Sequence, residues 1–208
     1  VRRPGETSVS KGASLPGERF ASAPASVRII GGQWKRTPLA VVDAPGLRPS
    51  PDRVRETVFN WLAHFMPDLS TVSGLDLFAG TGVLGFELAS RGAARVTLVE
   101  RNPTLEAQLQ RLKHKLGADT VTIVRGDALA FAGQARERSF DVVFLDPPFD
   151  SDLLEPALRA AEKLVSAEGL VYAESGAPLN EEGAAACGLR IVRAGRAGQV
   201  HFHLLQRA

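Results

Sequence analysis

In the stretch Phe140-Asp141-Val142-Val143-Phe144-Leu145-Asp146-Pro147-Pro148-Phe149, an unbroken apolar run of strand length, Val142 to Leu145, stops at an acid followed by two prolines. Such a run reads as a strand buried on both faces, the pattern of a parallel sheet. Proline has no N–H for the ladder and fixes its own φ. The strand therefore ends at Leu145, and Asp146 and the carbonyls after it leave the carboxyl edge at fixed angles. Open α/β sheets bind ligands at that edge. A carboxylate, a rigid carbonyl and an aromatic ring in succession suit a planar amine: two acceptors take its two N–H groups while Phe149 packs on its face. Asp146, Pro147 and Phe149 are the candidate catalytic residues. A strand followed by an ordinary turn accounts for the same residues, since Asp-Pro and Pro-Pro form turns readily.

Upstream, the pattern of strand, turn and helix repeats. Val72 to Ala79 reads as a strand leading into Gly80-Thr81-Gly82-Val83-Leu84-Gly85 and a helix through Glu87, Leu88 and Ala89. Small residues at a helix N-terminus let a ligand approach the backbone. Asp76 lies in this apolar strand, where an acid is costly unless it meets a cation or a hydrogen-bond donor; an amino-acid ammonium would serve. Arg95 to Val99 is a second strand ending in Glu100, placed to hold the two hydroxyls of a ribose. Pro103 to Leu116 is an amphipathic helix, and Thr120 to Val124 a third strand running into Asp127. Downstream of Asp146 follow a helix over 153–164, a strand Leu170 to Ala173 ending at Glu174, and a helix before Cys187. Alternating strands and helices predict a parallel sheet wrapped on both faces. The runs Leu189 to Ala194 and Val200 to Leu205, separated by Gly195-Arg196-Ala197-Gly198-Gln199, predict a closing antiparallel hairpin. His201 and His203 share one face of its last strand and, lacking a third ligand nearby, read as a surface pair rather than a metal site.

The front of the chain differs in texture. Residues 1–26 are rich in Ser, Gly, Pro and Ala and read as a disordered leader. Residues 27–66 form a small extension: Val27 to Ile30 and Leu39 to Val42 flank Gly31-Gly32-Gln33-Trp34-Lys35-Arg36 as paired extended segments. Trp34 among Gln33, Lys35 and Arg36 joins a stacking surface to phosphate-binding cations, the mixture used on single-stranded or looped RNA; a structural Trp covering the core edge is the alternative. A helix then starts with Ser50 as N-cap, Pro51 and Asp52, and carries Val54, Val58, Trp61 and Leu62 as its core stripe. Arg53 and Arg55 fall off that stripe and are expected to face solvent, a phosphate or an acidic partner. The body, residues 67–208, follows.

The 208 residues allow one well-buried domain with an appendage, and 44% hydrophobic and 23% charged residues are the proportions of a soluble globular chain. No apolar run approaches the ~20 residues of a spanning helix, and no secretory signal is evident, so a cytoplasmic protein is expected. The single cysteine, Cys187 in an alanine-rich setting, permits no internal disulfide and reads as a small packed residue. Residues 1–66 carry a balance of +5 and residues 67–208 one of −3. That asymmetry suggests an N-terminal part that meets a polyanion and a neutral to acidic body.

The glycine turn with Asp76, the acids Glu100 and Asp127, and Asp146-Pro147-Pro148-Phe149 together resemble an S-adenosylmethionine-dependent methyltransferase acting on an exocyclic amine, with the Rossmann-like class I fold. More narrowly, Arg28-Ile29-Ile30-Gly31-Gly32, Leu47-Arg48-Pro49, Asp52-Arg53-Val54-Arg55-Glu56 and Gly198-Gln199 resemble the RsmD-type 16S ribosomal RNA (guanine-N2)-methyltransferases, from about Val27 to the C-terminus. The resemblance implies that Asp76 and the backbone around Phe78, Gly80 and Gly82 contact the methionine part of the cofactor. It implies too that Glu100, with Arg101 beside it, holds the ribose and that Asp127 with the Ala128 amide reads the adenine. RNA would meet Arg28, Gln33, Trp34, Lys35, Arg36, Arg48, Arg53 and Arg55. A monomer acting without metal on small-subunit ribosomal RNA, free or in an assembling particle, is expected. Thr81 stands where relatives commonly have serine. A dinucleotide-dependent oxidoreductase explains the glycines and Glu100 but leaves Asp76 and the Asp-Pro-Pro-Phe run without a role. A non-catalytic RNA-binding protein leaves every one of these acids without a role, and an amine on DNA adenine or on protein is the competing substrate.

Overall fold

The computed structural model describes residues 26–41 and 51–208; residues 1–25 of the leader, Arg48 and Ser50 lie outside the described residues, and Ser26, its last residue, already belongs to a strand. The sheet has seven strands in the order β5-β4-β3-β6-β7-β9-β8. They are β3 (Ser73–Asp76), β4 (Arg95–Glu100), β5 (Val121–Arg125), β6 (Phe140–Leu145), β7 (Val165–Ser175), β8 (Leu189–Ala197) and β9 (Val200–Arg207). The first five are parallel, and β9 runs antiparallel to both β7 and β8. The chain winds outward from β3 to β5, returns to β6 on the other side of β3, and winds outward again. The strand order therefore reverses between β3 and β6, the switch point where doubly wound sheets bind ligands.

Side chains alternate across each strand, so the sheet builds two cores. One face carries Leu98, Phe144, Tyr172 and Leu204 and is covered by α1 (Asp52–Phe65), α2 (Val83–Ser90) and α3 (Pro103–Leu116). The other carries Leu75, Val143, Val171 and Leu205 and is covered by α4 (Ala128–Gln134), α5 (Leu154–Leu164) and α6 (Glu181–Ala186). Among the described residues no helix is long and apolar enough to cross a membrane.

The extension forms a two-stranded antiparallel pair, β1 (Ser26–Arg28) with β2 (Pro38–Ala40). It docks against the C-terminal end of α2. Ser90 O accepts from Gln33 N–H at 2.8 Å, and Ser90 Oγ donates to Gly31 O at 2.7 Å and accepts from Trp34 N–H at 2.9 Å. Gly32 is required there: its φ is +75°, and a Cβ would lie 1.9 Å from Ser90 O.

The expectation for His203 needs correction, and at Arg55 and Trp34 the structure supports one of the alternatives. Of solvent, a phosphate or an acidic partner, Arg55 meets the acidic partner: it is 0% exposed, donating to Arg28 O (2.8 Å) and Asp52 Oδ1 (2.6 Å) beside the equally buried Glu87 (3.7 Å). α1 packs on the sheet and also meets the β1–β2 segment through Arg55 and Arg28 O, so a second face of it is covered. His203 is buried rather than at the surface, its Nε2 accepting from Leu179 N–H at 3.2 Å, and burial pulls its pKa down. Trp34 is half-buried with its ring edge-on to Phe86, centroids 6.4 Å apart, so it packs on the core edge. Cys187 is buried as expected.

Candidate active site

The carboxyl edge of the sheet gathers acids in one row. Asp76 ends β3 and Glu100 ends β4; Asp146 follows β6, and Glu174 is the penultimate residue of β7. Pairing sets Asp76 opposite Phe144 and Leu98, and Leu145 opposite Ala173, which puts Asp146 beside Glu174. By the period of two, all four acids share the face of Leu98, Phe144 and Tyr172. Across the sheet their order is Glu100, Asp76, Asp146, Glu174, centred on the switch point.

Burial makes this row electrostatically tense. Asp76 is 2% exposed and its Oδ1 has no hydrogen-bond partner among the described residues. Its carboxyl is pushed up to about 7, first by burial and further by the Glu100 charge, with the Phe78 and Gly85 amides opposing. Asp146 is held well above the usual carboxylate range, by burial first and then by Glu174 and Asp76. Glu174, 2% exposed, accepts from the Tyr172 hydroxyl at 2.7 Å, and the Tyr172 phenol is driven up by its own burial and by Glu174. A cation placed over the row would relieve every one of these shifts.

Glycines open the backbone next to Asp76. Gly80 and Gly82 have φ of +52° and +77°, and Gly82 is the N-cap of α2, so the helix starts directly over the row. Glu100 ties this turn down: Oε2 accepts from Gly80 N–H at 2.8 Å and Oε1 from Asn102 N–H at 2.7 Å. A carboxylate offers about four lone-pair directions, so both oxygens retain capacity for hydroxyl donors. Arg101 beside it is exposed and Phe78 half-buried. Asp127 is exposed and caps α4, Oδ1 accepting from Leu129 and Ala130 N–H at 3.0 Å, with Ala128 buried behind it.

At the other end of the row the Pro147-Pro148 turn carries Phe149, a 42% exposed ring. The ring lies beside Gly176, where a Cβ would be 3.6 Å from it. Asp146, Pro147, Phe149, Asp76, Gly80, Gly82 and Glu100 are thus brought together, with Asp127 at the flank. Lys35, Arg36 and Gln33 are not. They are exposed on the turn at the far end of α2, and its eight residues separate them from the glycine turn by about 12 Å. Arg28 and Arg53 are exposed, Arg28 paired with Asp52 at 2.8 Å.

Two residues escaped the sequence reading. Glu174 was seen only as a strand end, although it occupies the same post-strand position as the other acids. Glu87 was seen only as part of a helix, although it is the lone charge in Val83-Leu84-Gly85-Phe86-Glu87-Leu88-Ala89, which has no polar face to hold it.

A family model described as conserved hypothetical protein 95 matches residues 27–206. The ribosomal RNA small subunit methyltransferase D of Escherichia coli K12 is 40% identical over 188 residues, 89% of this chain and 92% of that protein. The Haemophilus influenzae protein of the same name is 40% identical over 159 residues, 74% of this chain and 81% of its own. A solved Escherichia coli structure aligns with a TM-score of 0.74 at 39% identity, covering 88% of this chain and 98% of that one. A Thermus structure aligns at 0.72 with 29% identity, covering 86% and 99%. Shared fold, nearly full mutual coverage and this identity place the chain in the conserved hypothetical protein 95 family, the family of the RsmD-type ribosomal RNA methyltransferases, with their Rossmann-like class I fold.

Proposed function

We propose that this chain transfers a methyl group from S-adenosylmethionine to the exocyclic N2 amine of a guanine in small-subunit ribosomal RNA. The acid row at the switch point, buried at Glu100, Asp76 and Glu174 and half-buried at Asp146, with the Asp146-Pro147-Pro148-Phe149 turn at its open end, carries the reading. The relatives' names supply the RNA.

The residues fit the cofactor. An ammonium over Asp76 would give the orphan Oδ1 a donor and hold the acid ionised. Glu100 would accept from the ribose hydroxyls, and Oδ2 of Asp127, outside the helix cap, from the adenine amine. When bound, S-adenosylmethionine supplies an electrophilic methyl group on a sulfonium centre.

The chain's own groups do the rest by positioning. Guanine N2 is a poor nucleophile because its lone pair is conjugated into the ring. Acceptance of its two N–H groups by the Asp146 carboxylate and the Pro147 carbonyl favours a pyramidal nitrogen with the lone pair turned toward the methyl donor. Asp146, in accepting an N–H of that nitrogen, is placed to take the proton that it sheds. Phe149 stacks on a base turned out of its neighbours, as modification of a base edge in structured RNA requires.

The test is to incubate the protein and its Asp146→Asn variant with unmodified 16S ribosomal RNA and with small-subunit particles, using an isotopically labelled methyl donor, then digest and identify the nucleosides by mass spectrometry. Labelled N2-methylguanosine, absent with the variant, is expected. Label in N6-methyladenosine, or in protein rather than RNA, would reject the guanine assignment in favour of another exocyclic amine.

A further inference from the structure

The closing hairpin carries a charge that the split between a basic front and an acidic body conceals. Residues 189–208 contain four arginines, Arg190, Arg193, Arg196 and Arg207, and no Asp or Glu. β8 is the edge strand of the sheet, and Arg190, Arg193 and Arg196 on it are exposed. Arginines on an exposed edge also discourage pairing with another sheet, a role that any position along the strand would serve.

Register distinguishes the three. Arg190 pairs with Gln206 toward the amino edge, and Arg193 sits mid-strand with its guanidinium 5.1 Å from the Phe65 ring centroid. Arg196 pairs with His201, and His201 pairs with Ser175, the residue directly after Glu174, so by the period of two both Arg196 and His201 lie on the α6 side of the sheet rather than on the face of the acid row. The next residue is Gly176, against which the Phe149 ring lies. The hairpin tip, from Arg196 through Gly198 and Gln199 to His201, therefore stands at the carboxyl edge. Two strand spacings, about 10 Å, separate it from the end of β7 beside Phe149. One to two nucleotides of extended backbone span that distance. Arg196 Nε donates to Gly198 O at 2.9 Å, which fixes the stem of the side chain and leaves the terminal guanidinium nitrogens for a partner. Among the described residues no carboxylate pairs with it; α6, which packs on β8, carries Glu181 and Glu182 in its first turn, both exposed.

We infer that the β8–β9 tip, through Arg196 with Gln199 and His201, flanks the open end of the acid row along the carboxyl edge and grips a phosphate of the ribosomal RNA next to the nucleotide turned out onto Phe149. This rests on the RNA reading above. It adds the contact that the N-terminal turn is badly placed to make, since Lys35 and Arg36 sit near the other edge of the sheet.

Four variants, Arg196→Ala, Arg196→Lys, Arg190→Ala and the double Lys35→Ala/Arg36→Ala, are compared with the parent chain for methylation kinetics on small-subunit particles and for RNA binding as a function of salt, with thermal melts alongside. Arg196→Ala should raise KM about tenfold and flatten the salt dependence by roughly one unit of slope. Arg196→Lys should recover most of both, and Arg190→Ala should do neither. Cofactor affinity should be the same in all four. Wild-type KM and slope for Arg196→Ala overturns the inference, as does an equal effect of Arg190→Ala, which would show only bulk charge or edge protection. A melt lowered equally in the Ala and Lys variants, with KM following the melt, assigns Arg196 to the turn and overturns it too. If the parent chain itself neither binds nor methylates ribosomal RNA, the proposed function fails, a result distinct from any of these.

Discussion

Two regions of this molecule bury charge, and they do it in opposite ways. Between α1, α2 and the extension, each buried charge meets its complement: Glu87 Oε1 accepts from Arg91 at 2.8 Å, Oε2 accepts from Ile30 N–H at 2.6 Å, and Arg55 lies against both Glu87 and Asp52. Arg91 also covers the Phe59 ring at 4.7 Å. At the carboxyl edge, acids lose their water with like charges beside them, and Asp76 and Asp146 shift upward, by burial first and by the neighbouring acids second. Completed electrostatics hold the chain together; an acid row left tense is a place for a cationic ligand. The difference assigns structure to one region and chemistry to the other, and each can be broken separately.

The largest effect is expected at the tense row. Asp146→Ala should lower single-turnover methyl transfer by about 10²–10⁴-fold with the melting temperature kept or raised, because it removes a strained acid without opening a core cavity. Turnover within a factor of a few of the parent would remove Asp146 from the mechanism. In the completed network the reverse is expected. Glu87→Ala leaves Arg55 with Asp52 but without the buried acid beside it, takes the acceptor from Arg91 and Ile30 N–H, and should cost about 3–5 kcal/mol in denaturant unfolding, whereas the double variant Arg55→Met/Glu87→Leu should recover much of that loss. Equal losses in single and double variants would show that the packing, not the charge balance, matters there. A smaller effect is expected from Glu100→Ala, whose carboxylate also anchors Gly80 and Asn102: cofactor binding should weaken by about 1–3 kcal/mol with little change in maximal rate. Unchanged affinity in a titration would end the ribose assignment.

How far the sequence could carry this comparison depends on what each pattern reports. The ends of β4, β5 and β6 are legible because apolar runs stop at acids, glycines and prolines, so the positions of Glu100, Asp127 and Asp146 relative to the sheet follow from local chemistry; β3 reads through to Ala79 in the sequence but ends at Asp76, where the chain turns toward Gly80. The hairpin was legible from its paired runs and glycine turn. α4 was not, because Ala128-Leu129-Ala130-Phe131-Ala132 is short and apolar without a period. β7 was read too short, since α5 runs into it at Val165 with no breaker between. Arg55 was placed off the buried stripe because helical periodicity assumes one buried face, and α1 has two. The location of Lys35 and Arg36 depends on where the extension docks, which only the Gly31-Gly32 approach to Ser90 reveals. His203 faces the core beneath Leu179 through a loop contact that no strand pattern encodes.

The central claim is that the acid row is a cation site, and proton linkage tests it most directly. Asp76 titrates ordinarily at 3.8 and in the folded chain at about 7. Between those values the folded chain holds the extra proton, so the stability due to this group is full below 3.8 and is lost as pH rises through about 7. A ligand ammonium that needs the ionised carboxylate must expel that proton, and its affinity must rise with pH up to the same point. Titration calorimetry of S-adenosylmethionine, in two buffers of different ionisation enthalpy, reads the proton count. The expected result is release of at least about one proton at about pH 6, falling away at about pH 8, where the ligand's own amine begins to titrate and binding of its ammonium form takes protons up. Identical heats in the two buffers at the lower pH, with tight binding retained, would contradict it.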